Sequence, residues 1–227
     1  MKKYKKLYDD SYFDDRYGFD KKRQLSFKLE KALITKYINK GKLLDIGCST
    51  GEFIDSLNWD GDTYGTDISE FAIKEAKKRG ISFDYNQTNT VDFFDLVILR
   101  GVIQHLDTPF LTLNQIYDSL KPGGYIIFLA TPNTNSIYYK IWNTLPALDQ
   151  PRNFYIPSDI DLINVLTNIG FEFKEVNYPY LEGPYSSFLL DHFKFLLKIF
   201  GLNVSFAFWH NMMELVFRKP LIKIDRF

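Results

Sequence analysis

In KLLDIGCSTGEF, Lys42 to Phe53, an apolar strand, a glycine-rich turn and a helix start follow one another within twelve residues. Backbone amides exposed in such a turn, and at the helix start behind it, form a site for an anionic or strongly polar group. Gly47 and Gly51 let the chain turn sharply and let a ligand approach the backbone. The next apolar run, YGTDIS, ends in Asp67, twenty residues after Gly47. A carboxylate at the end of the second strand can accept both hydroxyls of a ribose. Glycine turn and acid together point to a nucleoside-containing cofactor.

Around this unit, short apolar runs alternate with helical stretches. Leu25, Leu29, Leu33, Ile34, Tyr37 and Ile38 recur at helical spacing over Gln24–Asn39, and Gly41 stops that helix. Strands are predicted at Lys42–Ile46, Thr63–Thr66, Ile81–Tyr85, Phe94–Leu99 and Tyr125–Leu129, with helices at Glu52–Leu57, Ser69–Arg79 and Thr108–Leu120. Ser69 is placed to cap the second of these helices. FDLVIL, Phe94–Leu99, is apolar enough to be buried on both faces. Such alternation predicts an α/β fold with a parallel, doubly wound sheet. Beyond it lie a helix at Ser158–Ile169, a strand at Phe171–Asn177, a helix at Ser186–Phe200 and a last strand within Ser205–Arg218.

The chain has 227 residues, 45% hydrophobic, which suits one sizeable core and excludes a disordered or fibrous protein. With 28 basic and 28 acidic side chains, the balance argues against a general nucleic-acid binder. Cys48 is the single cysteine, so no internal disulfide forms and a reducing compartment, the cytoplasm, is expected. The N-terminal MKKYKKLYDDSYFDDRYGFD has no apolar signal run, and no window reaches the ~18 apolar residues of a spanning helix. No His, Asp and Glu cluster has metal-ligand spacing, so no metal is expected.

Three site chemistries compete for the glycine turn. A dinucleotide site wants G-x-G-x-x-G, and Ser49 and Glu52 break that pattern twice. Gly47-Cys48-Ser49-Thr50-Gly51 satisfies the G-x-S-x-G elbow of serine hydrolases, with His192 or His210 as distant partners. That elbow would fall on the first strand, and no oxyanion-hole stretch precedes it. The third chemistry accounts for more of the chain. LLDIGCSTGEF, YGTDISEFAIKEAKKRG, FDLVILRGVIQHL, LKPGGYIIFLATPN and FYIPSDIDLINVLTNIGFE occur in order. Over about residues 24–177 this series resembles the class I S-adenosylmethionine-dependent methyltransferases, in their bacterial small-molecule and surface-polysaccharide branch. Ser49 departs from the family's D-x-G-x-G-x-G pattern by replacing its middle glycine.

The resemblance implies a Rossmann-like sheet of seven strands, the last antiparallel, with S-adenosylmethionine as cofactor and S-adenosylhomocysteine as product. It implies that Asp45, Gly47, Cys48, Ser49 and Gly51 shape the methionine end, Asp67 holds the ribose, and Ile68 packs on the adenine. Asn86 would lie at the adenine rim; Leu99, Arg100 and Gly101 would line the methionine and acceptor side. His105, just past the fourth strand, is the candidate base for an acceptor hydroxyl. The expected partner is a small polar acceptor whose oxygen is methylated: a sugar hydroxyl, a nucleotide-linked sugar, or a phosphate or phosphoramidate oxygen. A quinone, a lipid or a secondary metabolite is the alternative acceptor, and a non-catalytic cofactor-binding module the alternative of another class. Arg100 and Arg152 become relevant if the acceptor oxygen is already ionised.

One domain over 1–227 is expected, with an N-terminal cap over 1–40, a lid over 131–157 and an apolar helical insertion over 179–204. The lid holds four prolines among many aromatics, and Tyr17, Tyr139 and Tyr155 are candidates to close on the acceptor. In the 186–200 helix only Asp191, Lys194 and Lys198 form a polar stripe. Burial or a homodimer is the favoured explanation, and a membrane surface the other.

Overall fold

The computed structural model describes residues 21–84, 90–146, 148 and 153–221. Helix α1 spans Lys21–Tyr37, followed by β1 (Leu43–Ile46), α2 (Glu52–Leu57), β2 (Thr63–Thr66), α3 (Glu70–Lys78) and β3 (Phe94–Arg100). A 3-10 turn at Ile103–His105 leads to α4 (Pro109–Ser119), β4 (Leu120–Pro132), α5 (Ile137–Trp142) and α6 (Asp159–Ile169). The chain ends in β5 (Glu172–Asn177), α7 (Phe188–Ile199) and β6 (Met212–Arg218).

The strands lie in the order β2-β1-β3-β4-β6-β5. β1 runs parallel to β2 and β3, and β3 parallel to β4, whereas β6 runs antiparallel to both of its neighbours. The architecture is therefore a Rossmann-like α/β fold with a mixed sheet. Among the described residues the sheet has six strands and not seven. The expected strand at Ile81–Tyr85 contributes one bridge, Tyr64 to Ser82, held by Gly65 N to Ser82 O and Ser82 N to Thr63 O at 2.9 Å each. Its Tyr85 falls outside the described residues.

Period-two alternation feeds both faces of this sheet. Leu44, Val97, Leu99, Ile126 and Phe128 enter one core with α4 and α6; Leu43, Leu96, Ile98 and Ile127 enter the other with α1 and α2. Leu96 through Leu99 are all fully buried, each contributing roughly 1.5–3 kcal/mol, which is why FDLVIL has no polar face. α3 starts where expected, with Ala72 N donating to Ser69 Oγ at 3.3 Å.

Three expectations are corrected. In α1 the buried face is Phe27, Glu30, Leu33 and Ile34, while Leu25 and Leu29 are exposed. The face is rotated because Glu30 is drawn inward by Arg100 (below). The 131–157 stretch carries regular structure in its first half: Thr131 and Pro132 finish β4, and α5 follows, capped by Ser136 Oγ accepting from Tyr139 N at 3.1 Å. Tyr138, Leu145, Phe206 and Phe208 form a satellite core, with Trp142 and Phe195 packed on it. Finally, α7 is not a buried apolar helix. Asp191, expected on its polar stripe, is its one buried residue; Phe188, Leu189, Leu190, Phe193 and Leu196 are half to four-fifths exposed, and Phe195 and Leu197 are partly buried.

Candidate active site

The carboxyl ends of β1, β2 and β3 meet at one edge of the sheet, and the glycine turn crosses it. Gly47 N and Cys48 N both donate to Thr66 O, at 2.8 and 2.9 Å, which ties the turn to the end of β2. Gly47 has φ 73°, and a Cβ there would lie 2.5 Å from Val102 Cγ2. Gly51 has φ 79°, and a Cβ would lie 2.2 Å from Ile81 Cδ1. Ser49, where the family pattern has glycine, keeps the left-handed conformation at φ 54°, at a cost of about 1 kcal/mol.

Asp67 joins the turn to the next helix. Its Oδ2 accepts from Ser49 N and its Oδ1 from Ser69 N, both at 2.9 Å. Burial pushes its pKa up, opposed by these hydrogen bonds. A carboxylate offers about four acceptor positions, so both oxygens keep capacity for further donors. Asp45 lies deeper, at 2% exposure. Burial raises its pKa to about 8, with the Arg100 charge opposing and the Asp67 and Glu30 charges adding. Its Oδ1 has no partner, and neither has the buried hydroxyl of Thr50 five residues on.

Arg100, at the end of β3, is engaged. Nε donates to Glu30 Oε2 at 2.7 Å and Nη2 to Oε1 at 3.1 Å, a two-pronged pair with Glu30 buried. The guanidinium lies 4.8 Å from the Phe27 ring centroid and 5.3 Å from that of Phe53. Glu214 shares this cluster; burial raises it to about 7, with Glu30 adding and Arg100 opposing. Glu30, Thr50 and Glu214 were missed in the sequence. A glutamate in phase with Phe27, Leu33 and Ile34 was the one available signal.

Other candidates fall in different places. Cys48 is buried against Gly65, where a Cβ would lie 2.6 Å from its Sγ, and burial pushes its thiol far up, so it is no nucleophile. The Leu99 side chain is fully buried in the sheet core, so only its backbone is at the edge. Ile68 is 42% exposed beside Asp67, and Gly101 has φ 61°, with a Cβ there in ordinary contact with Ala130 O at 3.4 Å. His105 is half-buried, with a ring nitrogen 3.3 Å from Gln104 Nε2. Gln104 Nε2 also donates to Gly101 O at 3.0 Å, while its Oε1 is buried without a partner. Tyr155 lies next to this turn: its N donates to Gln104 O at 3.4 Å and its ring is 5.4 Å from that of Phe110. Tyr139 instead packs on the satellite core. Tyr17, Asn86 and Arg152 lie outside the described residues. His192 and His210, the distant partners of a hydrolase, are occupied elsewhere: His192 Nδ1 is 2.6 Å from Phe188 O, and His210 stacks on Tyr178 at 4.0 Å.

Past the end of β4 a further polar group is buried. Asn133 N donates to Asn211 O at 2.9 Å, and Asn133 Oδ1 accepts from Asp159 N at 3.1 Å and Asn135 N at 3.0 Å. Asn133 Nδ2 and both side-chain polar atoms of Asn211 have no partner. Asp159 is buried, which pushes its pKa up, yet hydrogen bonds from Tyr178 OH and Asn135 Nδ2 hold it below the usual carboxylate range.

These atoms can be tested against S-adenosylmethionine, which presents an ammonium, a ribose diol and an adenine plane. A buried carboxyl oxygen without a donor suits the ammonium, the remaining acceptor positions of Asp67 suit the diol, and exposed Ile68 suits the base. The residues fit.

Comparison with known proteins agrees. A family described as a methyltransferase domain matches residues 18–176. An uncharacterized protein of Methanocaldococcus jannaschii is 27% identical, the match covering 77% of this chain and 86% of that one. A ubiquinone biosynthesis O-methyltransferase of Ruegeria pomeroyi is 31% identical over 66% of this chain and 68% of the relative. With the enzyme of that description from Actinobacillus pleuropneumoniae, 29% identical, the match covers 43% of this chain and 48% of the relative. Among solved structures, a SAM-dependent methyltransferase of Thermotoga maritima superposes with TM-score 0.64 at 18% identity, over 95% of this chain and 97% of the other.

Proposed function

The chain belongs to the methyltransferase-domain family and is an S-adenosylmethionine-dependent methyltransferase, and on that premise we propose that it methylates an oxygen of a polar acceptor, a sugar hydroxyl of a surface-polysaccharide precursor. The observation that carries the acceptor class is the set of buried carboxamides, Gln104, Asn133 and Asn211, each with an unpartnered polar atom just past β3, just past β4 and just before β6. A carboxamide both donates and accepts, as a sugar hydroxyl does, and burying it unpartnered costs about 1–3 kcal/mol that a hydroxylated acceptor returns.

The cofactor supplies a methyl group on a sulfonium, open to in-line displacement. Asp45 Oδ1 would hold its ammonium and Asp67 its ribose hydroxyls, at the carboxyl ends of β1 and β2. His105 takes the hydroxyl proton at a ring nitrogen, and Tyr155 covers the turn that holds it. Arg100 serves by position: paired with Glu30, it lies close enough to moderate the charge of Asp45.

The specific support for the other acceptor class is the 31% identity to a ubiquinone biosynthesis O-methyltransferase. In that reading the phenolic hydroxyl of a quinone precursor takes the place of the sugar.

Calorimetric titration with S-adenosylhomocysteine tests the cofactor site. Micromolar binding is expected, weakened at least tenfold by Asp67→Ala, since the ribose hydroxyls then lose a charged acceptor. Transfer of labelled methyl to nucleotide-linked sugars, with a quinone precursor in parallel, tests the acceptor. Turnover on the quinone precursor alone would reject the sugar reading.

A further inference from the structure

α7 is built inside out. Its buried residue is an acid, Asp191, whose Oδ2 accepts from Ser187 N at 2.7 Å and from Tyr180 OH at 3.1 Å. Lys198 also turns inward, 5.4 and 5.5 Å from the Tyr138 and Trp142 ring centroids, and donates to Val204 O at 3.3 Å. The outward ridge is Leu189, Phe193, Leu196 and Phe200, with Leu189 81% and Phe200 82% exposed. Phe188 and Ile199 extend it on one flank. Taking about 200 Å² for each fully exposed side chain, these six offer roughly 760 Å² of apolar surface. The largest apolar patch of a typical monomer is ~300–600 Å².

The geometry points to docking of this ridge on the anionic surface of a lipid bilayer, and thus to an acceptor presented at that surface; the second clause rests on the methyltransferase reading above. Three features favour lipid over a second copy of the chain. Phe188, Leu189 and Leu190 are consecutive and each at least 49% exposed, so apolar surface spans about 200° of the helix. A facing helix packs against one ridge and leaves the flanks wet, whereas fluid hydrocarbon wraps a protruding ridge on all sides. The charge also fits. Between residues 183 and 204 the only acid is Asp191, which is buried, and Lys194, partly exposed, is the cation left beside the ridge. Position is the third feature. α7 contacts α5 through Phe195 on Trp142, at 5.2 Å, and α5 follows directly from the carboxyl end of β4. Ile137 and Ile141 of α5, 59% and 52% exposed, add further apolar surface on the acceptor side of the sheet. No helix among the described residues is long and apolar enough to cross a membrane, so the contact is with one leaflet.

The test is flotation of the full chain with vesicles of phosphatidylcholine containing phosphatidylglycerol, and with phosphatidylcholine alone. Wild type is expected to float with the mixed vesicles, less with the neutral ones. The double variant L189E/F193E, altered only at exposed positions, should partition at least tenfold less while binding S-adenosylhomocysteine like wild type. Wild type that stays at the bottom of the gradient overturns the inference. So does a dimer in sedimentation velocity that L189E/F193E splits without any flotation, which would assign the face to a second copy. Calorimetry with S-adenosylhomocysteine on the same preparations reads the methyltransferase assignment separately, so either idea can fail while the other stands.

Discussion

Asp45→Asn separates the cost of burying this carboxyl from its use. Burial places the folded-state pKa of Asp45 at about 8 against 3.8 for the free side chain. The folded chain therefore holds a proton that the unfolded chain releases, and stability falls as pH rises from about 4 to about 8, by about 1.4 kcal/mol per unit. At pH 7 the accumulated loss is about 4 kcal/mol, the upper limit of what Asp45→Asn can restore to the ligand-free protein. Urea unfolding at pH 5, 6 and 7 should show wild type weakening along this series more steeply than the variant, in which buried Glu214 and Asp67 still weaken the fold as pH rises. Ligand binding runs the other way. Seating the ammonium of S-adenosylhomocysteine needs the carboxylate, and at pH 7 a group of pKa about 8 is about nine-tenths protonated. Calorimetry at pH 7 in buffers of small and large ionisation enthalpy should thus report close to one proton released per ligand in wild type and none in the variant, which also binds more weakly. Equal heats in both buffers would refute the placement of the ammonium on Asp45, and a wild-type pH profile no steeper than the variant's would refute the buried proton it displaces.

Glu30→Ala leaves the Arg100 guanidinium without its two-pronged partner and opens space beside Phe27; a loss of about 3 kcal/mol is expected in thermal or urea unfolding. Arg100 keeps some exposure, so a loss under 1 kcal/mol would mean that water replaces Glu30 fully. His105→Ala should lower turnover on a hydroxyl acceptor by 10²–10⁴ while leaving S-adenosylhomocysteine affinity unchanged. Partial rescue of the variant's turnover by added imidazole supports proton removal; unchanged turnover at pH 7 excludes His105 as the base.

Much of the fold can be read from local pattern. FDLVIL is apolar apart from Asp95 because both sheet faces are covered; β2 and α2 begin and end where expected, and β1 begins one residue later, at Leu43. The turn that carries Asp45, Gly47 and Gly51 and the acid at Asp67 are equally local. Side-chain spacing and backbone freedom over a dozen residues express them without help from distant parts of the chain. The edge strand was not legible in the same way. A run at Ile81–Tyr85 has strand character, but how many of its residues pair depends on what β2 offers at the sheet edge, and one bridge forms.

Which face of a helix turns inward is also a matter of tertiary partners. The wheel of α1 offers Leu25 and Leu29 as readily as Phe27, and the buried ion pair between Glu30 and Arg100, 70 residues apart, selects the second face. α7 shows the same rule in reverse, with Asp191 inside because Tyr180 OH and Ser187 N wait for it there. The aromatic 131–157 stretch reads as a cover for the site until Phe195 and Phe206, from far later in the chain, draw Tyr138 and Trp142 into a separate core. Periodicity and turn chemistry are near-neighbour properties, so residue order alone carries them. Burial of a charge or an aromatic ring is chosen by whichever distant donor or surface can satisfy it, and only the folded chain brings those groups together.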